Sequence, residues 1–144
     1  MLQRRHDHCL SLVELITLMI TALFNQPTYL AAKKMLDATV LRHEAIASNI
    51  ANLETPHYKR LEVAPSFTTE LREAMASKST DRITGLQPHL AVDETAVSPN
   101  RDGNTVQLEN ELLQLNQNFV EHSLETQLIT GALLRLKLAI TGRA

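Results

Sequence analysis

Aromatic residues are nearly missing from this sequence. Among 144 residues there is no Trp, with three Phe and two Tyr, so any core has to be assembled from Leu, Ile, Val, Ala and Met. Those residues line helix–helix seams more readily than aromatic-rich β-sandwiches, and they point to an all-α chain. Cysteine is as scarce: Cys9 stands alone, which excludes an internal disulfide framework and a multi-cysteine zinc site. An excess of one charge is lacking too. The net charge is −2, the pI is near 6.3, and Lys and Arg are scattered instead of striped, so nucleic acid is not expected as a partner. Long hydrophobic runs are represented only by "LSLVELITLMITALF", Leu10 to Phe24, which follows Arg4 and Arg5 in the manner of a secretory signal. Glu14 interrupts it, no Ala-x-Ala-type cleavage site follows, and it falls short of the roughly 20 residues a spanning helix needs. Neither a cleaved signal nor membrane insertion is expected.

What the chain does have is helical periodicity at both ends. Tyr29 to Asn52 contains no Gly or Pro, and Tyr29, Leu36, His43 and Ile50 recur every seven residues, with Val40 and Ala47 at the intervening positions. This helix should stop near Asn52 or Leu53, because the residue before Pro56 is driven out of the α region and Asn tolerates a left-handed terminating position. Toward the other end, Asn104 is a plausible N-cap, with Gln107 three residues on. Positions 108, 112, 115, 119, 122, 126, 129, 133, 136 and 140 then alternate steps of four and three, and all but His122 and Thr126 are apolar. That is a coiled-coil or bundle pattern, weakened only by Gly131. Leu113, Val120, Leu124, Leu128, Leu134 and Leu138 lie off this seam and widen the stripe beyond what one partner helix covers. The surplus implies neighbours from other chains and a subunit of an assembly.

The middle, Thr55 to Gly103, carries four of the five prolines and is rich in Ser, Thr and Asp. A short helix is expected over Ser66 to Ser79, where Phe67, Leu71 and Met75 step by four. The remainder reads as extended or mobile, with too little apolar content for a sheet core of its own. The expected fold is therefore all-α, a coiled-coil-like pair of long N- and C-terminal helices around a poorly ordered or extended middle. Its segments are a 1–18 extension, a 19–58 helical segment ending in a turn, a 59–104 middle loop with a short helix, and a 105–144 helix.

No group of residues meets the requirements of catalysis, which needs a nucleophile, a base and an orienting group converging on a pocket. "HDHC", His6 to Cys9, places two imidazoles and a thiol together, but an isolated cluster near a terminus is more simply a polar lead-in. His43 with Glu44 on a helix invites comparison with a phosphoacceptor histidine. The Thr-Pro that should follow within a few residues comes a dozen later, at Thr55-Pro56, so a seam histidine is the simpler reading. His122 and Thr126 interrupt the C-terminal seam, as polar residues that set register do. Glu62, Glu70, Glu73, Asp81 and Asp93 read as solvated charges. No catalytic residue, metal or cofactor is expected.

Two motifs carry a family resemblance. "SNIANLETPHYKR", preceded by "LAAKKMLDATVLRHEAIA", resembles the N-terminal signature of bacterial flagellar axial proteins, where a helix ends at Asn-Ile-Ala-Asn before a Thr-Pro-Gly-Tyr turn. "RDGNTVQLENELLQLNQN" followed by a leucine-rich helix resembles, within that family, the B-type subunit of the proximal rod of the basal body. The C-type rod subunit is the nearest alternative, and a soluble coiled-coil adaptor or secretion chaperone is a more distant one. The resemblance implies a structural protein of the periplasmic rod, exported without a cleaved signal by the flagellar type III apparatus. Its implied partners are copies of itself, other rod subunits, the basal-body adapter protein and the MS ring. Leu36, Val40, His43, Ala47 and Ile50 in one helix would be interface positions, as would Leu112, Leu115, Phe119, His122, Ile129, Leu133 and Leu136 in the other. Asn49, Asn52, Thr55, Pro56 and Tyr58 would set the turn. The chain departs from the pattern at His57, where the family has Gly, so the turn should differ in type or carry modest strain. It also departs at residues 1–18, which have no counterpart; Met19 looks like the family's usual start.

Overall fold

The computed structural model describes residues 12–97 and 101–142. The elements run α1 (Leu12–Phe24), α2 (Pro27–Ala51), β1 (Leu61–Val63), α3 (Pro65–Ala76), α4 (Thr80–Gly85), β2 (Leu90–Val92) and α5 (Leu108–Thr141). Helices dominate, and the two long ones, α2 and α5, pack against each other in antiparallel fashion. Rising numbers on α5 meet falling ones on α2, as Asn49 with Glu111 and Thr39 with Glu125 show. At about 1.5 Å per residue α5 is about 51 Å long and α2 about 38 Å, so α2 cannot cover all of its partner.

Local chemistry explains the helix ends. Pro27 opens α2 at a position where its missing N–H costs nothing and its fixed φ suits the helix. At the other end the Asn52 side chain donates to Ser48 O at 2.9 Å beside the Asn52 backbone N–H at 3.1 Å, so one residue closes the last turn with both its donors. Asn52 itself has φ −105°, so the expected left-handed terminator is not here. Positive φ falls instead on His57, at 60°. α5 starts at Leu108 with an extended Gln107 before it, and Asn104 is not its cap.

Two expectations about the middle need correction. The fold is not all-α, because β1 and β2 pair antiparallel, Leu61 opposite Val92 and Val63 opposite Leu90. Nor is the middle a loose connector. Val63, Phe67, Leu71, Ala74 and Ile83 are buried with Ala31 and Ala38 of α2 in one core, edged by Leu41, Met75 and Leu90. The segment lacks apolar residues for a core of its own, but α2 supplies the other half. It does so through small residues: Ala31, Ala38 and Ala45, spaced by seven, are 5%, 5% and 1% exposed and let the hairpin and short helices approach the α2 backbone.

Candidate assembly interface

The seam between α2 and α5 is polar. The residues α5 buries against its neighbours are Glu111, Asn118 and Glu125, one heptad apart. Each lies one position before a seam residue of the leucine heptad, and so turns the leucines sideways. Asn118 Nδ2 donates to Thr39 O at 2.9 Å, while its Oδ1 is buried without a partner among the described residues. Thr39 Oγ1 lies 2.9 Å from Leu36 O and 3.0 Å from Glu125 Oε2. One hydroxyl hydrogen cannot serve both acceptors, whereas a protonated Glu125 would donate to Thr39 and let Thr39 donate to Leu36. Burial, together with the nearby Glu121 charge, holds the Glu125 carboxyl above its ordinary value against the opposing Thr39 hydrogen bond.

At the N-terminal end of α5 the seam opens into a network that also holds the turn. Asn49, fully buried, uses its side-chain amide as a strand would use a peptide: Oδ1 accepts from Leu61 N at 2.9 Å and Nδ2 donates to Leu61 O at 2.9 Å. Nδ2 also reaches Glu111 Oε2 at 3.1 Å. Arg60 donates from Nε to Glu111 at 2.7 Å and from Nη1 to Asp93 at 2.8 Å and to Glu62. Three carboxylates around one guanidinium outweigh the burial that would otherwise favour its neutral form, so Arg60 stays charged. Burial pushes the Asp93 carboxyl up, but hydrogen bonds from the Thr95 hydroxyl and amide and from Arg60 bring it below its ordinary value. Glu62 and Asp93 are therefore ion-pair partners, not the solvated charges their sequence context suggests.

The residues expected to set the turn come together in it. Thr55 N donates to Asn52 O at 3.0 Å, the Tyr58 and Ser48 hydroxyls meet at 3.0 Å, and Pro56 is exposed. Asn104, expected as a helix cap, instead fastens this turn from the far side of the sequence. Its Nδ2 donates to Asn52 O, Leu53 O and Thr55 O at 2.9–3.0 Å, and its Oδ1 accepts from Val106 N at 2.8 Å. Main-chain bonds from His57 N to Asp102 O and from Thr105 N to Tyr58 O extend the pairing. Where the His57 backbone turns left-handed, its ring lies over Gly103, whose own φ is 77°; a Cβ there would come within 2.9 Å of His57 Nδ1.

None of the twelve residues expected at an interface is buried within the chain. Leu36, Ile50, Leu115, Ile129 and Leu136 are half-buried, while Val40, His43, Ala47, Leu112, Phe119, His122 and Leu133 are exposed. The structure brings two of them into contact across the helix pair, His43 and Phe119, with ring centroids 5.9 Å apart. His122 and Thr126 face outward, so polar register-setting belongs to Glu111, Asn118 and Glu125. The off-seam Leu113, Val120, Leu124, Leu128, Leu134 and Leu138 are 48–70% exposed, so large apolar side chains face outward along α5 among polar ones such as Asn116, Gln117 and Gln127. A monomer seldom exposes so many large apolar side chains along one helix. His6, His8 and Cys9 lie outside the described residues; among the described ones no three His, Cys, Asp or Glu side chains gather as metal ligands.

No protein-family model matches the chain. Curated relatives do. The flagellar basal body rod protein FlgB of Borreliella burgdorferi is 31% identical over 111 residues, covering 65% of this chain and 80% of its own length. The chain belongs to the FlgB family of flagellar basal body rod proteins. FlgB of Cereibacter sphaeroides is 32% identical over 70% of this chain and 84% of its own length, and FlgB of Aquifex aeolicus 28% over 78% and 91%.

Proposed function

We propose that the chain is a non-enzymatic structural subunit of the proximal rod of the flagellar basal body, serving motility by transmitting torque through packed helices. The observation that carries this reading is the inversion of α5, which turns Glu111, Asn118 and Glu125 inward and leaves its leucines for other chains. In this reading Leu36, Val40, His43, Ala47 and Ile50 of α2 and Leu112, Leu115, Phe119, His122, Ile129, Leu133 and Leu136 of α5 meet neighbouring subunits. Asn49, Asn52, Thr55, Pro56 and Tyr58 hold the turn that spaces the helices. The neighbours are copies of the chain, other rod subunits, and the adapter protein and MS ring at the base. Delivery to the periplasm runs through the flagellar type III export apparatus without a cleaved signal, with translation starting at Met19. No helix among the described residues is long and apolar enough to cross a membrane.

Mass spectrometry of purified basal bodies tests the reading. The chain should be present with Met19, or the residue after it, at its N-terminus, and its deletion should abolish both the rod and swimming. Normal swimming after deletion, or basal bodies without the chain, would refute the assignment.

A further inference from the structure

The three polar residues that α5 turns inward are held unequally. Glu111 is well compensated: Arg60 Nε lies 2.7 Å from its Oε1 and Asn49 Nδ2 lies 3.1 Å from its Oε2, so this end of α5 is tied to α2 and to the start of β1 at once. Glu125, two heptads on and 4% exposed, is bound to no cation. Its hydrogen-bond partner among the described residues is the Thr39 hydroxyl, which also lies 2.9 Å from Leu36 O. Between the two, Asn118 makes one bond to Thr39 O and leaves its Oδ1 buried without a partner. Within α5 no residue past Glu125 is buried, although the helix runs on to Thr141. Glu125 is its last inward fastening.

The charged groups around Glu125 do not supply the missing partner. On α2, Arg42 is engaged with Glu121, and the His43 ring lies against Phe119. On α5, Glu121 opposes ionisation of Glu125 while His122 favours it, and from α3 the exposed Arg72 reaches only the groove that Glu125 borders among Met35, Leu71 and Leu128. An ionised Glu125 has the Thr39 hydroxyl as its one donor, and that donor is then withdrawn from Leu36 O. A buried carboxylate so short of donors gains by reaching water. Because nothing beyond it is buried, it reaches water when α5 past Asn118 lifts from α2, while Arg60 and Asn49 keep the Glu111 end in place.

We propose that the Glu125–Thr39 contact is a proton-operated latch: protonated, it holds the distal half of α5 closed on α2, and ionised, it lets that half swing away about the fixed Glu111 end. The latch sets the direction in which distal α5 presents its outward leucines. The inference concerns a single molecule, and it stands or falls separately from the rod assignment.

Pulsed electron paramagnetic resonance on the purified full chain with Cys9→Ser tests it. Spin labels at Asp37→Cys and Gln127→Cys, both exposed, span the latch, and labels at Ala51→Cys and Glu109→Cys, also exposed, span the Glu111 end. Dilution into unlabelled chain restricts the reading to distances within one molecule. The latch pair should give one narrow distance at pH 4.5, the ordinary value of the carboxyl, and a longer, broader distribution at pH 8, while the second pair stays narrow at both. With Glu125→Gln added, the latch pair should stay narrow at both pH values. A parent chain whose latch distance is the same at pH 4.5 and pH 8, narrow or broad, would overturn the proposal. So would opening that persists with Glu125→Gln, which would assign the change to His43 or His122. Broadening of both pairs together would show global unfolding in place of a latch and overturn it as well.

Discussion

At the scale of single residues the turn is held by side chains acting as substitutes for backbone. Asn104 is fully buried and ties three carbonyls that no helix or strand satisfies. Asn104→Ala strands Leu53 O and Val106 N, while Asn52 O and Thr55 O keep their turn bonds from Thr55 N and Tyr58 N, and should cost about 2–4 kcal/mol, taking a buried unsatisfied polar group at about 1–3 kcal/mol. Urea unfolding followed by circular dichroism measures it. His57 and Gly103 form a coupled pair, because the ring of one occupies the space a Cβ on the other would need. A left-handed conformation costs a non-glycine residue about 1–2 kcal/mol, so His57→Gly should be neutral to stabilising by about 1 kcal/mol after its greater chain entropy is counted. Gly103→Ala should destabilise, and by less in the His57→Gly background, where only the positive φ of 77° still opposes it. Additive effects in that double-mutant cycle would show that the ring and the glycine do not constrain each other.

At the scale of elements the distinctive feature is a helix pair joined through carboxylates and amides. Glu125 and Asp93 give the stability of this joint opposite pH dependences. The folded-state pKa of Glu125 is raised above 4.5, so between that value and the raised one the folded chain binds more protons than the unfolded chain. Its contribution therefore weakens as pH rises through that window. The folded-state pKa of Asp93 is lowered below 3.8, so its contribution is present above 3.8 and is lost as pH falls through the lowered value. Glu125→Gln should raise stability at neutral pH and flatten the decline on the alkaline side of pH 4.5 while leaving the acid loss in place, as thermal melts between pH 3 and pH 7 would record. A Gln variant less stable than the parent at pH 7 would mean that the buried carboxylate is well accommodated in its ionised form. Arg60, Glu62, Asp93 and Glu111 were invisible as a unit in the sequence because they come from three separate places in the chain and each alone has the character of a surface charge. Only the pairing of β1 with β2 and the docking of α5 bring them together.

At the scale of the whole molecule, the buried core and the surface proposed for assembly are made of different residues. The buried core lies between α2 and the middle segment, whereas the C-terminal half of α5 has no buried residue beyond Glu125. Leu134 and Leu138, 58% and 48% exposed, can therefore become Glu at little cost to the isolated chain, about 0.5 kcal/mol or less each. The same changes would place charges in an apolar contact and should abolish incorporation into the rod. Soft-agar swimming and the recovery of the chain in basal bodies report the second effect, and equilibrium unfolding the first. Full motility of the Leu134→Glu, Leu138→Glu variant would show that this part of α5 stays in solvent after assembly.

The amino-acid sequence determined that the chain is mainly helical, that α2 and α5 are its long elements, and that their apolar surface exceeds what one molecule hides. These properties follow from periodicity, proline placement and the lack of aromatics, which act locally and can be read along the chain. The tertiary structure alone decided which face each helix turns inward. Hydrophobic spacing favours the leucine stripe, but Asn49, Thr39 and Arg60 provide partners that make it less costly to bury Glu111, Asn118 and Glu125 together than to leave them unpaired. Ala31, Ala38 and Ala45 present too little apolar surface to stand out in a periodic pattern, yet close approach of the middle segment requires their small size. Inward polarity and outward grease are consequences of partners distant in sequence, and a partner's position exists only once the chain has folded.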